Sequence, residues 1–412
     1  MSLGGVIAGG GAAAPPRRDR LRTRRWGIAG ALAVTETVSY GILYYAFAAF
    51  LVPMQRELGF SAAQLTGAFS LALLVAAGVG ILVGRHLDRH APRAVMTGGS
   101  VAGVLLVLAW SQVESLAAFY AVWVAIGVVM AMVLYEVAFT VLAKAFPEPG
   151  ERRRAMTAMT LVAALASFIF LPLSQALIDG YGWRDALIVL AVILGVMTVP
   201  LHAIALRLPP AHTPAAPTVS DVRAGDALRS RSFWLLSTAF FLASLAAIAM
   251  MVFSIPFLLD RGHGAAFAAF AVGLVGLSQI PGRVVFGPLA ARLPRPQATA
   301  GVFLLIAAGV ALVVSADATW AVVAGLVLLG MGNGMATLSR ATAIADLYGG
   351  HAYGTIGAVA ASMSTVARAG GPIAAAVLAA AAGYEALLWT LVAIAVLAAV
   401  LAYRAEILEA RT

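Results

Sequence analysis

The 412-residue chain is 62% hydrophobic and 11% charged, with a mean hydropathy of +0.95, a balance that no soluble domain of this length matches. The formal charge of +9 does not require a nucleic-acid partner, because the basic residues gather on one side of successive apolar runs. Cysteine is absent, which excludes disulfides, thiol catalysis and thiolate metal sites.

Residues 1–25, "MSLGGVIAGGGAAAPPRRDRLRTRR", put a short apolar stretch before a basic cluster, the reverse of a signal peptide's order, and are expected to form a disordered cytosolic tail. Apolar runs follow at 26–52, 61–83, 94–112, 116–143, 155–177, 184–206, 233–258, 266–290, 298–314, 318–345, 354–381 and 385–404. Each approaches the roughly 20 residues that cross a hydrocarbon core. Twelve crossings return the chain to the side on which it began. Of the 27 basic residues, 21 fall on that side, only Arg56, Arg184 and Arg261 on the other, and Arg283, Arg340 and Arg368 inside crossings. Both termini are therefore expected in the cytoplasm, with a bacterial inner membrane as the setting.

Crossing 1 contains "TETVSYGILYYAF", with Glu36 about ten residues, roughly 15 Å, from the cytoplasmic end. A carboxyl at that depth is either a proton carrier or hydrogen-bonded to a neighbouring helix. Tyr40 and Tyr44 share a helical face, with Tyr45 beside them, and either wall a small cavity or pack. In crossing 4, Tyr135 precedes Glu136. Glu136 is a second proton-carrying candidate; it either meets Arg340 of crossing 10 as a gate or pairs with Lys144 or the arginines at 152–154.

Between crossings 6 and 7, "RLPPAHTPAAPTVSDVRAGDALRSRS" (207–232) has the composition of a linker, separating a half at 26–206 from one at 233–404, with a short tail at 405–412. Crossing 8 reads "VGLVGLSQIPGRVVFGPLAARL", where Arg283 stands one turn beyond Gln279. A guanidinium there either grips a carboxylate with its planar fork or caps helix carbonyls. Asn333, between Gly332 and Gly334 in crossing 10, either lines a cavity or bonds between helices. Arg368 in crossing 11 is either a second anion contact or part of the close packing marked by Gly370, Gly371 and Pro372.

The two halves repeat. Pro53 and Pro256, Glu57 and Asp260, Gly59 and Gly262, Gly84 and Gly287, and Arg89 and Arg292 are each 203 positions apart; Pro172 and Pro372 are 200 apart, and Gly182 and Gly383 are 201 apart. Such duplication puts a transporter's site at the interface of the halves near the midplane. Arg283 has no counterpart, since its mirror position is Gly80.

The loop "GRHLDRHAPRAV" after crossing 2 resembles the signature G-x-L-x-D-R-x-G-R-R of the major facilitator superfamily, with Gly84, Asp88, Arg89 and Arg93 matching. The resemblance implies an all-α membrane protein of twelve transmembrane helices in two pseudo-symmetric six-helix halves, and a gating role for those four residues. Within the superfamily, "GVVMAMVLYEVAFTVLAKAFPEPGERRRAM" and "SQIPGRVVFGPLA" are similar to the monocarboxylate transporter and oxalate:formate antiporter branch. That similarity implies a small organic anion as substrate, a monocarboxylate in the first instance, held by Arg283 with Tyr135, Gln279, Tyr40, Tyr44 and Asn333, and driven by protons or a counter-anion. The branch's acidic residue one turn before the arginine is Gln279 here, and its crossing 1 lysine is replaced by an aromatic, Tyr44. Crossing 5 has only Pro172 where drug/proton antiporters carry G-P-x-x-G-G, so efflux of a cationic or amphipathic drug ranks second and a non-transporting receptor third. The histidines all fall in or beside loops and no Walker-type loop is present, so neither a metal nor a nucleotide cofactor is expected. No enzymatic constellation is visible, and a monomer in the bilayer is expected.

Overall fold

The computed structural model describes residues 17–206, 222–316 and 318–409. Among them the chain is helical throughout: α1 Arg17–Tyr40, a π-helical turn Gly41–Tyr45, α2 Ala46–Leu58, α3 Ala62–Arg89, α4 Pro92–Ser111, α5 Leu116–Val133, α6 Tyr135–Ala145, α7 Pro149–Ala163, α8 Ala166–Tyr181 and α9 Trp183–Ala205. There follow α10 Ala224–Arg229, α11 Arg231–Asp260, α12 Ala265–Arg292, α13 Arg295–Ser315, α14 Thr319–Tyr348 and α15 Tyr353–Glu409. Eleven stretches are long and apolar enough to cross a membrane. The last, α15, bends back at Gly383, whose φ of 85° no helix tolerates. It therefore supplies two crossings, and twelve result.

Local chemistry sets the boundaries. Ser61 and Gln64 form a reciprocal capping box at the start of α3, Ser115 and Ser230 cap α5 and α11, and prolines occupy the first turns of α4 and α7. Gly59 and Gly262, and likewise Gly182 and Gly383, are the pairs that the repeat sets against each other, and all four adopt positive φ, between 71° and 85°. The duplication thus extends from sequence to backbone conformation.

Two readings change at the chain's edges. Residues 17–25 belong to α1 and are not disordered tail, because the arginine-rich stretch is helix-compatible and continues crossing 1; residues 1–16 lie outside the described residues. The linker holds a helical turn, α10, while 207–221 lie outside the described residues.

Ties within each six-crossing set and ties between the sets lie at different levels. At the end away from the arginine-rich loops, Arg184 donates to Glu57, to the Ser111 carbonyl at 2.6 Å and to the Val113 carbonyl at 3.1 Å, stapling crossings 1, 3 and 6. Beneath it lies an aromatic cluster in which Trp110 and Trp123 meet edge-on at 4.8 Å between centroids. The polar ties between residues before 207 and residues after 221 lie instead from mid-depth to the basic end. Ser362 donates to the Ala77 carbonyl at 2.6 Å, Arg152 and Arg153 of α7 pair with Asp346 of α14, and Asp88 of α3 reaches the start of α15.

Candidate functional site

Two backbone irregularities shape the centre of the bundle. In crossing 1 the π-turn widens the helix by one residue, as happens frequently at functional sites. Gly41 is required there, because a Cβ would run into the Phe170 ring of α8. The widened turn brings both Tyr44 and Tyr45 within ring contact of Tyr40, at 5.9 and 6.4 Å. Crossing 4 is not the continuous helix expected from its apolar run: at Leu134 (φ −93°, ψ −176°) it breaks into α5 and α6. Tyr135 and Glu136 consequently stand on the first turn of a half-helix at mid-depth, where exposed amides favour negative charge. The Tyr135 ring lies 4.4 Å from that of Tyr40, completing a wall of tyrosines from crossings 1 and 4.

Facing that wall, crossings 8 and 10 pack backbone to backbone. A Cβ on Gly282 would strike the Met331 backbone, one on Gly330 the Val275 carbonyl, and one on Gly334 the Gln279 backbone. Small residues permit this approach, and it fixes Gln279 and Arg283 on one side and Asn333 on the other. Asn333 is half-buried, next in the chain to Gly334.

Arg283 is 6% exposed. One guanidinium nitrogen donates to the Thr160 carbonyl of α7 at 2.7 Å and another to the Gln279 side-chain oxygen at 3.5 Å, while Nε has no partner. The hydroxyls of Tyr135 and Tyr45 lie within electrostatic reach of it. All these partners are neutral, and among the described residues no carboxylate pairs with Arg283.

Glu136 and Arg340 meet across the bundle in a two-pronged ion pair at 2.7 and 3.2 Å. Neither Lys144 nor the arginines at 152–154 competes for Glu136: Lys144 donates to the Leu87 carbonyl and Arg152 pairs with Asp346. Arg283, Glu136 and Arg340 each lie eight or nine residues, about 12 to 14 Å at 1.5 Å per residue, from the basic ends of their helices. Glu36 sits near the same level, fully buried, and neither of its oxygens has a hydrogen-bond partner.

Closer to the basic end, Asp88 accepts hydrogen bonds from the Gly354 amide (2.8 Å), the Thr355 amide (2.9 Å) and the Thr355 hydroxyl (2.5 Å), capping α15. Gly84 and Gly354 make this possible, since a Cβ on either would collide with the other's carbonyl. Arg89 and Arg93 of the same loop are exposed and take part in no ion pair among the described residues. With Asp88, Asp346 and Glu136 all engaged across the bundle, the basic end is shut. Arg368 is exposed, donating to Thr365 at 2.9 Å, and points away from the outward-facing Val366, Ile373 and Val377, which are 51%, 70% and 66% exposed. An arginine at that depth on that side of the helix faces the interior of the bundle.

Sequence reasoning missed Thr160, Asp346 and Thr355, which act through a backbone carbonyl, a helix-terminal carboxylate and a helix cap. Only Asp346, the last acidic residue before the end of crossing 10, carries a sequence signal, and its partners are visible only in three dimensions.

The sequence model of the Major Facilitator Superfamily matches residues 32–372, most of the chain and all of these groups. The chain belongs to this superfamily of membrane transporters. Its fold is similar to that in a crystal structure of the transporter FucP, solved in the outward conformation, with a TM-score of 0.74 at 15% identity, covering 94% of this chain and 100% of that one. Among curated proteins it is similar to the oxalate:formate antiporter of Oxalobacter formigenes, 26% identical over 59% of this chain and 57% of that protein. It is also similar to human monocarboxylate transporter 11, 30% identical over 72% of this chain and 64% of that protein. An MFS-type efflux pump of Mycolicibacterium smegmatis is 28% identical over 67% of this chain and 65% of that protein. The matched region thus spans less than two thirds of each relative's own length.

Proposed function

We propose that this transporter moves a small organic anion, a monocarboxylate in the first instance, by rocking of residues 26–206 against 233–404 about a central site. The observation that carries the reading is Arg283: a buried, permanently charged group whose partners are a carbonyl, an amide oxygen and hydroxyls. An uncompensated cation at mid-membrane is expensive, and a carboxylate anion supplies the missing charge while accepting two parallel hydrogen bonds. Tyr135, Tyr40 and Tyr44 offer hydroxyls and a wall that limits substrate size, Gln279 and Asn333 line the facing helices, and Arg368 adds a second positive charge to the same interior. The names of the antiporter and monocarboxylate relatives agree with this assignment.

The basic end is assigned to the cytoplasm of a bacterial inner membrane, and the working unit is a monomer. With Asp88, Asp346 and Glu136 latched, access to the central site is assigned to the opposite side, so anion enters from outside and breaks the latches on its way in. Thermal stabilisation of the purified protein by lactate, pyruvate, formate, oxalate and acetate, beside cationic dyes, tests the assignment. A carboxylate should raise the melting temperature of wild type and not of Arg283→Gln. Stabilisation of both proteins by cations alone would replace the reading with drug efflux.

A further inference from the structure

Among the described residues, Glu36 is the carboxyl at the centre that neither the anion site nor the gate uses. It is 0% exposed, and its two oxygens are both without a hydrogen-bond donor. The groups around it are fixed by the helices packed on α1. From α6 come Tyr135 and Glu136; from its own helix and the π-turn come Tyr40, Tyr44 and Tyr45. On α7 the charged residues Glu151 to Arg154 lie at the basic end, with Arg152 and Arg153 held by Asp346. On α9, His202 shares a hydrogen bond of 2.7 Å with Ser100. On α8, Asp179 lies at the far end, bonded to Gln175. The nearby cation, Arg340, is already committed to Glu136 through both prongs of its guanidinium. An ionised Glu36 would therefore be a buried carboxylate beside the half-buried Glu136, with no donor and no counter-ion of its own.

We propose that Glu36 is the proton-binding site of this transporter and that one proton travels on it with each substrate anion. While the basic end is shut, Glu36 holds the proton on its carboxyl oxygen. When α14 withdraws Arg340 from Glu136, water reaches this level from the basic side. The O–H bond of Glu36 then breaks, and the proton leaves to that water as hydronium. Charge conservation sets the stoichiometry. After both partners have left to the basic side, the carrier that returns empty holds Arg283 positive and Glu36 negative, with Tyr135 within reach of both. The loaded carrier holds Arg283 neutralised by the anion and Glu36 neutralised by the proton. Both forms carry the same net charge through the membrane, whereas crossing with one partner alone would move an unbalanced charge through mid-depth. The stoichiometry rests on the anion reading; the proton site does not.

The experiments separate the two. Infrared difference spectra of purified wild type against Glu36→Gln, with no substrate present, should show at neutral pH a protonated-carboxyl C=O band that shifts in D2O and is missing from the variant. Glu36→Asp should keep a displaced band, which guards against misfolding of the glutamine variant. A difference spectrum containing only carboxylate bands would overturn the proton site. Because the chain has no cysteine, a spin-label pair introduced at Ala91 and Leu293 reports the opening of the basic end. Raising the pH should increase the open population in wild type and leave Glu36→Gln unmoved; an equal response in both would also overturn the site. If these hold and no carboxylate among lactate, pyruvate, formate, oxalate and acetate drives proton entry into proteoliposomes, the one-to-one coupling and the anion reading fail while the proton site stands.

Discussion

Replacing Arg340 with glutamine should loosen the basic end. The wild-type guanidinium holds Glu136 through two charge-assisted bonds of 2.7 and 3.2 Å, with side-chain exposures of 12% for Arg340 and 30% for Glu136. Removing one partner of a fully buried pair costs about 3 to 5 kcal/mol, because the other is left charged and alone. Glu136 is partly open to solvent, and the open form rehydrates it, so about 2 kcal/mol is the reasonable share. At 1.4 kcal/mol per factor of ten, the ratio of open to shut should rise about 25-fold. The spin-label pair at Ala91 and Leu293, read by pulsed electron resonance, measures that ratio directly. Glu136→Gln/Arg340→Gln should open less than Arg340→Gln, since no orphaned carboxylate remains. Superimposable distance distributions for wild type and both variants would refute the gate.

Arg283→Lys keeps the charge but loses the planar fork, so KM for the carboxylate should rise about tenfold or more with the melting temperature little changed; equal KM values would argue for a structural arginine. Tyr135→Phe deletes one hydroxyl near Arg283 and should weaken carboxylate binding by about 1 kcal/mol, measured by calorimetry, without altering the gate distances. Gly334→Ala drives a methyl group into the Gln279 backbone and should lower the melting temperature and the affinity together. Asp88→Asn removes the charge from the cap on α15 and should shift the spin-label distances in the same direction as Arg340→Gln but by less, about 1 kcal/mol; no shift would remove Asp88 from the latch.

The twelve crossings were legible because a bilayer tolerates only long apolar helices, and for the same reason each ionisable residue within a crossing stood out as costly. Arg283, Glu136, Arg340 and Glu36 could thus be named from sequence, and the first three acquire definite geometry in three dimensions. The signature loop was legible as well, and its glycine and aspartate have separable tasks: Gly84 admits the Gly354 backbone, and Asp88 then reaches the amides beyond it. The break at Leu134 was not legible. It falls in "AMVLYE" without glycine or proline, so its weak signal is an acidic residue two positions into a new helix start. The π-turn was equally silent, since Gly41 reads as a packing glycine until Phe170 is seen against it. The pairing of Asp346 with Arg152, 194 positions apart, depends on how the two sets of helices abut, which no local pattern encodes.

The charge inventory also weighs against a cationic substrate. At the central level Arg340 and Glu136 cancel each other, Arg283 contributes one positive charge, and Arg368 adds another to the interior. Glu36 is the remaining acid, and with it ionised the group of four, Arg283, Arg340, Glu136 and Glu36, sums to zero, with Arg368 still to be counted. With Arg368 counted, a cation would thus enter a site that is positive even with Glu36 ionised and more so in its protonated form, in a medium where an unbalanced charge is poorly screened. An anion entering the protonated form brings the same four groups to neutrality. It follows that Arg283→Gln, which removes one positive charge, should relax the exclusion of cations. Transport of a cationic dye by the variant and not by wild type would establish that the arginine sets the sign of the substrate, whereas dye transport by wild type would show that the central charges do not govern selection.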